Sequence, residues 1–135
     1  MADNDQLDLH FTIVDDEKPL LFLITWTLSQ SFPQCTMTTF DDGVLALQYL
    51  RQQPTDFLIT DHRMLHMNGD ELVRELREIG ITVPILMVSS SPFAKQAAAN
   101  ENITFLEKKD ITTELIRTVR SLLHEHKSIR KIRMA

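Results

Sequence analysis

The chain contains a single cysteine, Cys35, in 135 residues, and this excludes an internal disulfide. Between Gln34 and Thr36, in a stretch that reads as a strand, it is expected to be a small buried hydrophobe without chemistry of its own. Long apolar runs are missing as well. The longest, Leu20 to Ile24, falls far short of the roughly 20 residues that span a bilayer. The acidic start Met1-Ala2-Asp3-Asn4-Asp5 has no basic region of the kind a secretory signal needs. Together these absences make the cytoplasm the expected location and leave no membrane role. A basic face is also lacking: the net charge is -5 and the pI near 5.4, which excludes nucleic acid as the main partner, because phosphate binding needs clustered cations. The one basic run, Lys127 to Arg133, reads as a solvated helix end whose cations suit the C-terminal dipole.

What is present describes an ordinary globular domain. Hydrophobic residues make up 43% and charged residues 24% of the chain, with a mean hydropathy of -0.13, so neither disorder nor a coiled coil is expected. The length fits one core. The expected organisation is a short segment over 1–8, one domain over 9–126, and a basic tail over 127–135.

Periodicity alternates between strand and helix along the whole domain. Leu9 to Val14 reads as a strand that stops at Asp15-Asp16. Lys18 onward reads as a helix, with Pro19 at a first helical position and Leu20, Leu23, Ile24 and Leu28 at three-and-four spacing, ending near Phe32-Pro33. Cys35 to Phe40 reads as a second strand, broken by Asp41-Asp42-Gly43, and Val44 to Gln52 as a second helix. Phe57 to Thr60 is apolar on both faces, as a strand covered on both sides must be. Glu71 to Glu78 follows as a third helix with Gly80 beyond it, then a strand over Val83 to Val88 and a short helix over Pro92 to Asn100. Ile103 to Leu106 is a fifth strand, and Leu115, Ile116, Val119, Leu122 and Leu123 mark a strongly amphipathic last helix. Five strands alternating with five helices predict an α/β fold: a doubly wound parallel sheet with right-handed crossovers and helices on both faces. Ligands of such sheets lie beyond the carboxyl ends of the strands.

At those ends the chain places Asp15 and Asp16 after the first strand, Asp61 after the third, Ser89 after the fourth and Lys108 after the fifth. Carboxylates about 4 Å apart repel by roughly 4 kcal/mol at an effective dielectric near 20, so such a cluster calls for a cation. Lys108 brings one charge and a magnesium ion would bring two. Oxygen ligands with room for water suit magnesium and not zinc. A carboxylate beside magnesium, with a lysine and a hydroxyl aimed at the same point, is equipped for in-line phosphoryl transfer in which the carboxylate attacks phosphorus.

These residues resemble the receiver domain of two-component response regulators, over nearly the whole chain from Leu9 to Leu123. The resemblance implies the flavodoxin-like strand order 2-1-3-4-5. It implies that Asp15 and Asp16 bind the metal, that Asp61 in Asp-His-Arg-Met is the phosphoacceptor, and that Lys108 is the family's lysine. Ser89 would be the switch hydroxyl, Phe105 the switch aromatic, and the backbone carbonyl of Arg63 a further metal ligand, with its side chain near the phosphoryl site and able to set its lifetime. Phosphoryl would come from a histidine kinase or phosphotransfer protein, and the signal would leave through contact with a downstream protein, with room left for a dimer. A receiver catalyses only its own modification and hydrolysis and is not expected to be an enzyme with a separate substrate. The expected form is a stand-alone receiver.

Three departures from the family pattern stand out. Leu65 replaces a usual proline, Lys109 replaces the proline that normally follows the lysine, often through a cis peptide, and the stretch from Ser89 to Lys108 is short by about one helical turn, a loss expected in the fourth helix. The first helix carries a surplus: with Leu20, Leu23, Ile24 and Leu28 toward the sheet, a step of 100° per residue puts Phe22 and Trp26 on the far side, flanked by Leu21, as a docking patch for a phosphodonor. His62 and His66 are four apart in a loop and are not expected to bind metal. A phosphorelay shuttle and a phosphorylation-independent interaction module are the rival functions. A haloacid-dehalogenase-type phosphatase also uses a strand-end aspartate and magnesium, but its nucleophile belongs after the first strand with a second acid two residues on, a pattern that Asp15-Asp16-Glu17 does not fit cleanly.

Overall fold

The computed structural model describes residues 8–134, with side chains described through residue 126. Its elements are β1 (His10–Val14), α1 (Lys18–Ser31), β2 (Thr36–Phe40), α2 (Gly43–Leu50), β3 (Phe57–Thr60), α3 (Gly69–Glu78), β4 (Ile85–Ser89), α4 (Ala94–Asn100), β5 (Thr104–Glu107) and α5 (Ile111–Met134). The five strands form one parallel sheet in the order β2-β1-β3-β4-β5, the doubly wound sheet expected from the sequence in the flavodoxin-like order that the resemblance implies. The basic run falls in α5, and its side chains lie outside the described residues.

Alternation along β3 shows why the sheet needs helices on both faces. Phe57 and Ile59 join Phe11, Ile13, Leu86 and Val88 in a cluster sealed by Ile24 and Leu28 of α1 and Leu115 and Val119 of α5. Leu58 points the other way, toward Ala46, Leu47 and Leu50 of α2 and Leu72, Val73 and Leu76 of α3. Every residue of β3 is buried, so no position in it can be polar without a partner.

Local chemistry moves several boundaries. The residues expected to break the chain before α2 instead cap it: Asp42 Oδ1 accepts from Val44 N at 2.7 Å. Helix α3 starts two residues before Glu71, because the Glu71 side chain accepts from Asn68 N at 3.0 Å in a capping arrangement. Strand β4 begins at Ile85, not Val83, since Pro84 has no N–H for the ladder. Helix α4 starts at Ala94 and is 7 residues long; Ser91 to Phe93 form the turn before it, with Ala94 N donating to Ser91 O. Cys35 is half-buried and precedes β2, its N–H tied to Phe32 O at 3.0 Å, so it lies at the rim of the core and not in a strand. No cis peptide bond occurs among the described residues. After β5 the chain passes through a 3-10 turn over Lys108–Asp110.

Candidate functional site

Hydrogen bonds of the sheet continue one residue past β1 and β3. Asp15 N donates to Phe40 O at 3.0 Å, and Asp61 N donates to Val14 O at 2.9 Å. The backbones of both acids are therefore held by the ladder itself, and both side chains are buried, Asp15 at 1% and Asp61 at 6% exposure. Asp16, the next residue, is exposed. Oxygen atoms of Asp15, Asp16 and Asp61 lie within 4.8 Å of one another.

Lys108 enters this cluster from the end of β5. Its Nζ lies 2.8 Å from Asp61 Oδ2, 3.1 Å from Asp15 Oδ2 and 2.6 Å from Glu17 Oε1. Burial alone would discourage its charge, but hydrogen bonds to Asp61, Glu17 and Asp15 outweigh that and hold its pKa above the ordinary lysine value. Asp15 is shifted in the opposite sense for an acid. Burial, with repulsion from Asp61, raises its pKa from the ordinary 3.8 to about 6, against the pull of the Glu17 N–H and of Lys108.

One atom is left short. Asp15 Oδ2 is buried and, although Lys108 Nζ stands 3.1 Å away in an ion pair, it receives no aligned hydrogen bond; Asp15 uses Oδ1 to accept from Glu17 N at 2.8 Å and from Lys108 at 3.4 Å. A buried carboxylate oxygen with an unused lone pair, facing two other carboxylates and a single ammonium, fits a hard divalent cation bound through oxygen.

Ser89 is buried at the end of β4, where its Oγ accepts from Ser91 N at 3.1 Å. Phe105 is half-buried, packs beside Met87, Ala94 and Ala98, and lines a cavity of about 280 Å³ together with Ser89, Ser90, Ser91 and Lys108. Arg63 projects outward and places its guanidinium 6.0 Å from the ring centre of Phe93 in the β4–α4 turn. The two loop histidines part company: His62 is buried, with Nδ1 3.4 Å from Ser91 Oγ and Nε2 3.5 Å from Asp70 Oδ1, whereas His66 is exposed and pairs with Asp42 at 2.5 Å. Leu65 is exposed, and Lys109 points to solvent in an ion pair with Glu107 at 3.3 Å. On α1, Phe22 and Trp26 are 72% and 54% exposed. Leu21 beside them is half-buried and packs against the α1–α5 core.

Two residues essential to this geometry escaped the sequence analysis. Glu17 follows the acid pair directly, and its side chain could have been flagged as a third acid, but only the fold shows that it meets Lys108. Gly69 reads as half of an Asn-Gly turn; in the structure its N–H donates to His62 O at 2.6 Å, and a Cβ there would overlap the backbone carbonyl oxygen of Asp61. No side chain fits at that position, so the glycine sets how closely α3 approaches the acid-bearing loop.

Comparison with known proteins bears on the family and the fold. The family model described as the response regulator receiver domain matches residues 11–120. The sensor histidine kinase RcsC of Escherichia coli K12 is 30% identical over 135 residues, covering 98% of this chain and 14% of RcsC. The response regulator MprA of Mycobacterium ulcerans is 27% identical over 124 residues, covering 90% of this chain and 53% of MprA. The chain thus spans about a seventh of one relative and half of the other. Among solved structures, the receiver domain of the Francisella response regulator 1452 is similar with a TM-score of 0.77 at 23% identity, covering 88% of this chain and 99% of that one. The isolated receiver domain of RcsB from Salmonella enterica serovar Typhimurium is similar with a TM-score of 0.73 at 21% identity, covering 86% and 88%. With a family match across most of its length and the same fold, the chain belongs to the response regulator receiver domains, the signalling modules of two-component systems.

Proposed function

We propose that the protein, working in the cytoplasm, accepts a phosphoryl group on Asp61 from a partner's phosphohistidine and signals by protein contact. A carboxylate oxygen of Asp61 attacks phosphorus, the P–N bond to the donor imidazole breaks, and the imidazole leaves with a proton. Hydrolysis by water later returns the carboxylate and releases inorganic phosphate. The observation that carries this reading is the convergence on Lys108 Nζ of Asp61 at 2.8 Å and Asp15 at 3.1 Å, with Asp16 beside them.

Asp15, Asp16 and Asp61, with the backbone carbonyl of Arg63, would hold magnesium, which when bound supplies two positive charges against the phosphoryl oxygens. Lys108 would supply a third. Ser89 Oγ accepts from Ser91 N, which leaves its O–H to donate to a phosphoryl oxygen, and a turn of Ser89 toward that oxygen draws the tethered β4–α4 loop inward. Phe105, flanked by small alanines and the adjoining cavity, has space to follow. A bias of about 1–3 kcal/mol between the two arrangements is sufficient for a switch.

The exposed Phe22 and Trp26, with Leu21 at their edge, form the patch proposed to dock the histidine kinase or phosphotransfer protein. A phosphorelay shuttle is the second reading, favoured by the match to a segment of a sensor histidine kinase; rapid return of phosphate to a histidine domain without a change in partner affinity would select it. The primary test is incubation with magnesium and acetyl phosphate, comparing wild type with Asp61→Asn by mass and by amide NMR. An acid-labile gain that depends on Asp61 is expected, and its absence would remove the proposal.

A further inference from the structure

Glu17 stands at the N-cap of α1, but its side chain makes no capping hydrogen bond there. Its backbone is nonetheless fixed. The carbonyl accepts from Leu20 N and Leu21 N, both at 3.1 Å, and the N–H donates to Asp15 Oδ1 at 2.8 Å. From this anchored position the carboxylate reaches across 91 residues of sequence to Lys108 Nζ at 2.6 Å, shorter than the contact to Asp61 or to Asp15.

An ammonium has three N–H donors. Here three carboxylates claim them, and Lys108 has none left for a new acceptor. If Asp61 is the phosphoacceptor, on which this inference rests, a phosphoryl oxygen can gain a hydrogen bond from Lys108 only when one acid lets go. Asp15 and Asp61 are buried and fixed at strand ends; the Glu17 side chain is 54% exposed and can swing into water.

We propose that Glu17 is a positioning residue that restrains Lys108 in the unmodified protein, so that phosphoryl transfer onto Asp61 must release the Glu17–Lys108 ion pair. The pair stabilises the starting state and is absent from both the transition state and the phosphorylated form. It therefore slows the gain of phosphate and leaves hydrolysis untouched. This asymmetry separates positioning from a general structural effect, which would move both rates.

Three proteins test it: wild type, Glu17→Gln, and Glu17→Asp, which keeps the charge on a side chain one methylene too short for the contact. Each is incubated with magnesium and acetyl phosphate, the phosphorylation rate followed by mass, and hydrolysis timed after donor removal. Both variants should gain phosphate about two- to fivefold faster than wild type, the worth of an ion pair with one exposed partner, with unchanged hydrolysis. Equal rates of gain in all three, a Glu17→Asp that behaves as wild type, or parallel changes in gain and loss would overturn the inference while leaving Asp61 as the phosphoacceptor. No Asp61-dependent gain in any of the three would overturn that assignment and this one with it.

Discussion

Replacing Asp15 by Asn should make the metal-free protein more stable at neutral pH. Asp15 is buried, its pKa is raised from 3.8 to about 6 by burial and by Asp61, and one of its oxygens has no hydrogen bond. Between these two values the native state holds a proton that the unfolded chain has released. Stability therefore falls as pH rises through that window and is level above it. A shift of about two units corresponds to about 3 kcal/mol, and allowing for solvent at the rim of the site leaves about 2 kcal/mol. Asparagine keeps the shape of the neutral form, while Lys108 retains Asp61 and Glu17. The variant should thus gain about 2 kcal/mol at pH 7, or roughly 5–10 °C in Tm for a domain of this size, and nothing near pH 4. Urea unfolding followed by far-UV circular dichroism at pH 4, 5, 6 and 7 without divalent metal measures this directly. Saturating magnesium should stabilise wild type and leave the variant largely unmoved. A variant no more stable than wild type at pH 7, or a difference that is the same at pH 4, would refute the account of Asp15 as an ionised and strained acid.

Other expectations follow from the same geometry. Because a proton at Asp15 competes with the metal, apparent magnesium affinity should be close to full at pH 7, about half at pH 6 and about tenfold lower at pH 5, as read by isothermal titration; a flat profile would contradict it. Gly69→Ala forces a methyl group into the Asp61 carbonyl, so it should cost at least about 2 kcal/mol in urea unfolding and shift the amide signals of Asp61 and His62. Trp26→Ala, at an exposed site, should change stability by less than about 0.5 kcal/mol. It should weaken transfer from a phosphohistidine donor by about tenfold while sparing acetyl phosphate; equal loss with both donors would count against a docking role. Arg63→Ala removes a cation–π contact with Phe93 worth about 0.5–1 kcal/mol and should shorten the lifetime of the phosphorylated form severalfold in a decay assay.

The buried halves of the fold were readable because burial forces a pattern. Phe57 to Thr60 is apolar at every position, and only a strand with helices on both faces tolerates that. The amphipathic repeat of α5, from Leu115 to Leu123, signals one covered face. The placement of the candidate site residues was readable because each lies at the end of a strand, so position in the fold and position in the sequence coincide for Asp15, Asp61, Ser89 and Lys108. Boundaries set by one hydrogen bond were less legible. Glu71 caps α3 from inside the helix, and Pro84 shortens β4 by removing a donor, while neither changes the hydrophobic period. Cys35 was misplaced for a similar reason: its neighbours have strand character, but its N–H is committed to Phe32 O. Gly69 and Glu17 were hidden for another reason, since their roles depend on atoms distant in sequence that no local pattern reports.

Lys108 shows how such long-range contacts decide what the site can do. Its place is given by the register of β5, which pairs Glu107 with Ser89, and by the 3-10 turn that follows, a route that needs no proline at Lys109. Three carboxylates, Asp15, Glu17 and Asp61, contact this one ammonium, and Asp16 lies beside Asp15 and Asp61, so the bare site carries a large excess of negative charge. The sheet holds Asp15 and Asp61 in place despite their repulsion, because releasing either would break ladder hydrogen bonds to Val14 or Phe40. The excess is thus maintained by the hydrophobic core that rigidifies the sheet, and it can be relieved only by a cation or a proton. Under the proposed function, every partner that Lys108 gains or loses is therefore coupled to metal occupancy and to the state of Asp61. On that reading, this coupling gives a single aspartate at a strand end influence over loops that belong to β4 and α4.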